Sequence, residues 1–363
     1  MVIGIPGEIK LDEYRVGMLP FGVRALVEDG HRVLIERNAG VGAGFNDAEY
    51  QEAGARMVET PHEIYERADL VVKVKEPQAG EVATTREDQI LFCYFHFASS
   101  RELTEGCLES GLTALGFETL TNDHGGLPLL TPMSEIAGKM SIQEGARCLE
   151  SHMKGRGVLL GGVAGVEPAQ VLVVGGGVVG SNAAHVAAGM GACVVIMDIN
   201  VERLRHLDEI MPPNVSTAYC EPHAVVEHAA RADLVIGAVL VPGGKAPVLL
   251  RQEHIGMLKR GTVLVDVAVD QGGCFETSHP TTHRDPVFVV DGVVHYCVAN
   301  MPGAVSRTSS HALGNVTFPY VRDLAGSGLE AFLNKSAGNR AALNISKGKI
   351  AHPAVAEAFP DLA

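Results

Sequence analysis

Short apolar, β-branched runs alternate along the whole chain with segments of helical spacing. A first series of strands is predicted over residues 2–6, 33–36, 70–74, 90–95 and 113–118, and a second over 171–174, 193–197, 234–238, 263–267 and 294–298. Strands that are apolar throughout belong to parallel sheets covered by helices on both faces. The alternation therefore predicts an α/β fold of two Rossmann-like, doubly wound domains separated by a cleft. The two halves share this architecture without visible sequence repetition.

Thr131-Pro132 reads as a helix start, with Ser134-Glu135 in the first turn and helical character to about Met153. From Ser309 a second helical segment carries Leu313, Val316 and Tyr320, and Pro319 is expected to bend or end its first stretch. This tail is too short to fold alone and is assigned back to the first domain. The expected division is a discontinuous catalytic domain, 1–129 plus 307–363, into which a nucleotide-binding domain, 130–306, is inserted. The two crossings would act as a hinge and leave a cleft.

The second series opens on Val171-Leu172-Val173-Val174-Gly175-Gly176-Gly177-Val178-Val179-Gly180 and continues through a small-residue helix to Cys193-Val194-Val195-Ile196-Met197-Asp198. This is strand, Gly-x-Gly-x-x-Gly turn, helix and second strand ending in an acid, the context that makes the fingerprint specific for a dinucleotide. Gly175 would permit the sharp turn, Gly177 the approach of a pyrophosphate to backbone N–H groups, and Gly180 close packing of helix on strand. The helix N-terminus adds about half a positive charge. Asp198 suits a ribose diol and would repel a 2′-phosphate, so NAD is expected rather than NADP. Residues 168–197 carry no formal charge, but Gln170, Ser181, Asn182, His185 and glycines interrupt them, and no membrane span is expected.

The balance of 43 acidic against 29 basic residues gives a formal charge of −14. That disfavours nucleic acid and anionic membranes as partners and suits a small-molecule substrate. Seven cysteines show no C-x-x-C pair and no zinc spacing, so reduced thiols, a cytoplasmic location and no metal are expected. Glu8 and Lys10 interrupt the N-terminal apolar run, which does not read as a secretory signal.

Ligands of doubly wound sheets bind beyond the carboxyl ends of the strands. Arg15, Lys75, His96 and Glu118 stand at such positions in the first domain, and Asp270, Asn300 and Met301 in the second. Each has a plainer reading: Lys73 and Lys75 as solvated strand ends, Arg15 as a surface residue, His96 as a satisfied core histidine. Glu118 is read as structural and Asp266 as a capping group. An arginine offers a planar fork for a carboxylate, and a histidine can shuttle a proton near neutral pH.

Gly4-Ile5-Pro6-Gly7-Glu8-Ile9-Lys10, Glu13-Tyr14-Arg15-Val16, Gly30-His31, Lys73-Val74-Lys75-Glu76-Pro77, Pro132-Met133-Ser134-Glu135-Ile136-Ala137-Gly138, Gly161-Gly162-Val163, Asp270-Gln271-Gly272-Gly273 and Asn300-Met301-Pro302 resemble the alanine dehydrogenase family, which includes the NAD-binding subunit of transhydrogenases. The likeness spans almost the whole chain. It implies NAD-dependent, reversible oxidative deamination of L-alanine to pyruvate and ammonia by a homo-oligomer, a hexamer. By resemblance Arg15 and Lys75 hold the substrate carboxylate, His96 is the acid/base, and Asp270 assists the water and amine steps. Ser134, Gly175, Gly177, Val178, Val179, Gly180, Asp198, Arg203, Val239, Leu240, Val267, Asp270, Asn300 and Met301 form the cofactor side. Leu19, Ala164 and Phe97 stand where threonine, proline and leucine are usual, and Phe97 bears on pocket shape. Two other readings are a different small amino-acid or opine-type dehydrogenase, and a transhydrogenase subunit. Against the latter, 129–134 lacks the Arg, Gln and Asp set that transhydrogenase relatives carry there. A non-catalytic NAD sensor would not need Arg15, Lys75, His96 and Asp270 together.

Overall fold

A computed structural model describes residues 1–239 and 246–362. The chain forms two compact units, Met1–Met133 with Gly303–Ala363, and Ser134–Pro302. The boundaries fall in the first turn of the helix Thr131–Cys148 and just before the helix Ser306–Ser327.

In the first unit, strands β1 (Val2–Ile5), β2 (Arg32–Glu36), β3 (Arg56–Val58), β4 (Leu70–Val72), β5 (Ile90–Cys93) and β6 (Thr113–Gly116) run parallel in the order β3-β2-β1-β4-β5-β6. In the second, β7 (Gln170–Val174), β8 (Cys193–Asp198), β9 (Val215–Tyr219), β10 (Leu234–Gly237), β11 (Val263–Asp266), β12 (Val287–Val290) and β13 (Val293–Tyr296) give the parallel order β9-β8-β7-β10-β11-β13. Both are the doubly wound nucleotide-fold order, with the switch point beside the first strand. Each sheet gains antiparallel pairing at one edge. β12 pairs with β13 in the second unit, and β14 (Leu343–Ser346) with β15 (Lys349–Ile350) extends the first beyond β6.

β1, β4, β5, β6, β10, β11 and β13 are buried along their whole length, as strands covered on both faces must be. Helices such as Pro20–Glu28, Pro61–Arg67 and Pro222–Arg231 begin on a proline whose missing N–H costs nothing there.

Three sequence expectations are corrected. The helix begun at Thr131 ends at Cys148, followed by a separate 3-10 turn Ser151–Met153. Strands 70–74, 90–95 and 113–118 are shorter than expected, so Lys75, His96 and Glu118 sit on loops past the strand ends. Pro319 does not end its helix, which runs on from Ser306 to Ser327. The carbonyl that proline deprives of a donor is that of Asn315, four residues back. Both residues lie on the exposed face, where water can satisfy it.

Candidate active site

Arg15 follows β1 and is 2% exposed, so it is not a surface residue. Its Nε and Nη2 donate to Glu13 Oε1 and Oε2 at 2.7 and 2.5 Å, and Nη1 lies 3.1 Å from Met133 Sδ. Burial is the largest influence and works against the charge, but Glu13 outweighs it and holds the guanidinium pKa above its ordinary value. Arg15 is thus a fixed cation.

Lys75 lies past β4 and is buried at 9% exposure, so it is not a solvated strand end. Lys73 is buried too, with Nζ 2.5 Å from Glu81 Oε1 and 3.6 Å from Glu8 Oε2. Glu8 accepts the Val74 N–H at 2.7 Å, and Tyr65 donates to Glu81 at 3.0 Å. This buried network sets the backbone from which Lys75 projects. Burial pushes the Glu8 carboxyl up, while Lys73, despite burial, is held above its usual range by the two acids.

His96 is exposed, not a core histidine, and occupies the left-handed region at φ 51°. Glu118, past β6, accepts its N–H at 2.7 Å. Tyr94 is the residue that ties the set together. Its N–H donates to Val74, the neighbour of Lys75, at 3.0 Å. Its ring stacks on His96 at 5.9 Å with planes 8° apart, and it feels the charge of Arg15. Its hydroxyl donates to the Leu129 carbonyl at 2.6 Å. Phe97 turns into the core and stacks on Phe95 at 4.6 Å, so it does not shape the pocket.

In the second unit the glycine turn has the geometry its sequence requires. Gly175 has φ +106°, and a Cβ there would meet the Ala238 carbonyl at 2.6 Å. A Cβ at Gly180 would lie 1.7 Å from the Gly175 carbonyl, which forces glycine where helix Val178–Gly189 meets the turn. At Gly177 a Cβ would meet nothing within 4 Å, and no side chain caps the helix it opens. Open space before uncapped N–H groups, Val178 and Val179 among them, is what a pyrophosphate needs.

Asp198 accepts from Gly176 N at 2.7 Å and Asn200 N at 2.8 Å, leaving further lone pairs for a diol. Arg203 donates to the Gly176 carbonyl at 2.6 Å, which places it against the same turn. Ser134 lies one turn before Gly138, where a Cβ would be 2.2 Å from the Val179 carbonyl, so its helix runs hard against the turn. Val239 and Val267 follow β10 and β11 on the same side of the sheet. Leu240 lies outside the described residues.

Asp270 is exposed on the 3-10 turn Val269–Gln271, and its Oδ2 lies 3.4 Å from the N–H of Asn300, which has φ 57°. Met301 is buried beside it. Asp266 is fully buried and accepts from Ala268, Cys274 and Phe275 N–H and the Ser278 hydroxyl at 2.6–3.3 Å. It caps the loop that carries Asp270, as its sequence position suggested.

The structure therefore groups Arg15, Lys75 and His96 round Tyr94 in one unit, and the glycine turn with Asp198, Arg203 and Ser134 in the other. Sequence reasoning missed Glu13 and Tyr94. Glu13 carried a signal, a carboxylate two residues before an arginine that must be buried. Tyr94 carried none, since it reads as one more apolar strand residue. Among the described residues no His, Cys, Asp and Glu group suited to a metal ion occurs, and no helix is long and apolar enough to cross a membrane.

Comparison with known proteins agrees with this geometry. Residues 4–137 match the alanine dehydrogenase/PNT N-terminal domain and 141–353 its C-terminal domain. An alanine dehydrogenase of Halomonas elongata is 52% identical over 359 residues, covering 99% of this chain and 97% of the relative. That of Bacillus subtilis is 47% identical over 357 residues, covering 98% and 94%. A solved L-alanine dehydrogenase superposes with a TM-score of 0.96 at 52% identity, covering 100% of both chains. A transhydrogenase from Sinorhizobium meliloti shares the fold, with TM-score 0.82 at 24% identity over 98% of this chain and 100% of its own. The chain belongs to the alanine dehydrogenase/PNT family.

Proposed function

We propose that this protein catalyses the reversible, NAD-dependent oxidative deamination of L-alanine to pyruvate and ammonia. The observation that carries the reading is the assembly of a fixed guanidinium, a buried lysine and an exposed imidazole round Tyr94, in a chain matching alanine dehydrogenases along its length.

The Gly175–Gly180 turn, Asp198, Arg203, Ser134, Val239, Leu240, Val267, Asn300 and Met301 would hold NAD, which supplies the hydride acceptor. Arg15 and Lys75 bind the substrate carboxylate, and charge-assisted hydrogen bonds of this kind contribute about 1.5–3 kcal/mol each. That fixes C2 and presents its hydrogen in one direction. As C2 loses hydride the substrate becomes an imine, to which water adds. His96 takes the proton of that water and returns one to the departing nitrogen, while Asp270 assists the water and amine steps. The balance is one hydride to the ring, one water oxygen into pyruvate, nitrogen released as ammonium and one proton released.

Only the neutral amine expels hydride readily, so alanine oxidation should quicken at alkaline pH. The protein would act as a cytoplasmic homohexamer, which light scattering of the purified protein tests. The activity is tested by following near-ultraviolet absorbance with NAD and L-alanine, and with NADH, pyruvate and ammonium. Turnover with both supports the reading. Turnover with another amino acid and none with alanine transfers the site to a different small amino-acid dehydrogenase.

A further inference from the structure

We infer that Glu118 is the positioning residue that holds the His96 imidazole in its working orientation, which rests on the acid/base role proposed for His96. β5 and β6 are parallel neighbours, with Cys93 opposite Gly116, so the loops past their ends run side by side. Glu118 on one loop thereby faces the backbone of Phe95 and His96 on the other. A single oxygen, Oε1, accepts both N–H groups, at 3.1 Å from Phe95 and 2.7 Å from His96, and Oε2 lies 3.3 Å from Phe95 N.

His96 needs such a hold. Its φ of 51° and ψ of 40° lie in the left-handed region that side chains other than glycine rarely occupy. From the other side its carbonyl accepts the Ser99 N–H at 2.9 Å and the Ser99 hydroxyl at 2.7 Å. With both peptide groups pinned, the Cα–Cβ bond has one direction, and the ring lies parallel to Tyr94. The described hydrogen bonds of Glu118 reach this backbone and not the imidazole, so the carboxylate sets where the ring is rather than relaying its proton. Without the acceptor two converging N–H groups lose their partner, the strained backbone relaxes and the ring turns off its line to C2.

Because one oxygen serves both amides, glutamine can replace the glutamate while alanine cannot. In Glu118→Ala, kcat for L-alanine should fall about 100-fold, the scale of a small misplacement of a reacting group. KM for alanine and NADH affinity, read by NADH fluorescence, should stay within about threefold, and Glu118→Gln should recover kcat to within about threefold of the wild type. Glu118→Asp, one methylene too short to serve both amides, gives the same readout if the alanine variant does not fold.

An alanine variant with unchanged kcat, a loss confined to KM, or a glutamine variant as impaired as alanine overturns the inference. His96→Ala, measured alongside, separates the two claims. If it is inactive while Glu118→Ala is normal, only the positioning role fails, whereas near-normal turnover in His96→Ala removes the acid/base reading itself.

Discussion

Glu13 grips the Nε and Nη2 edge of Arg15 through both carboxylate oxygens, at 2.7 and 2.5 Å, with the two side chains 0% and 2% exposed. A guanidinium has two forked edges, and filling the lateral one fixes the plane in which the terminal one points. Removing one partner of a buried pair leaves a stranded charge, at a cost of about 3–5 kcal/mol. Glu13→Ala should therefore lower the thermal midpoint clearly and raise KM for alanine and pyruvate. Glu13→Gln, which keeps one acceptor, should do both less. An unchanged KM in a folded Glu13→Ala protein would mean that Arg15 does not take the carboxylate.

The glycine turn separates two kinds of requirement. Gly177 faces open space, so Gly177→Ala should keep the thermal midpoint and yet weaken NADH binding by about tenfold or more, because the methyl occupies the place of a pyrophosphate. Gly180→Ala places its methyl 1.7 Å from the Gly175 carbonyl. It should lose stability by at least about 1–3 kcal/mol, the scale of overpacking, together with binding. Thermal melts and NADH fluorescence on the two variants check this, and equal binding by Gly177→Ala would contradict it.

Asp198 joins Gly176 N to Asn200 N and supplies the charge at the end of β8. Asp198→Ala should weaken NADH by about tenfold or more, the cost of one hydrogen bond to a charged group, and narrow the preference for NAD over NADP. Titration with both cofactors reads the ratio. An unaltered ratio would remove Asp198 from ribose recognition.

Acid stability should be set partly by His295, buried beneath Phe288. Its Nδ1 faces the Val293 carbonyl at 3.1 Å and so donates, leaving Nε2 to accept from Thr277 at 2.7 Å. Burial above all drives its pKa down to about 4 from 6.5. A depressed pKa means that the folded state binds the proton less well than the unfolded chain. The contribution is therefore complete above pH 6.5 and lost as pH falls towards 4. The full span corresponds to about 3 kcal/mol. Melts between these limits should show a falling midpoint that flattens in His295→Gln.

Much of this was legible because the signals are periodic or chemically forced. The ten apolar runs all became strands, since a stretch such as Val263–Asp266 has no polar face to turn outward. Of the five strands not expected, β12 is an apolar run, partly exposed at a sheet edge, and the other four lack that signature. β3 is three residues starting with an exposed arginine, β9 is half-exposed along its length, and β14 and β15 carry Asn344, Ser346 and Lys349 at a sheet edge. The fingerprint told where the glycine turn would form because Gly175 and Gly180 stand where a side chain would collide with backbone carbonyls. Nothing local told that Lys73 would be sunk between Glu8 and Glu81, or that Tyr94 would join three loops, because those contacts link residues remote in sequence.

The most direct measurement uses L-alanine deuterated at C2, with NAD in ordinary water and the nicotinamide product analysed by mass spectrometry. The account predicts NADH carrying the deuteron, passed from C2 to the ring without exchange. Product without the label, or label lost to solvent while pyruvate accumulates, would contradict it.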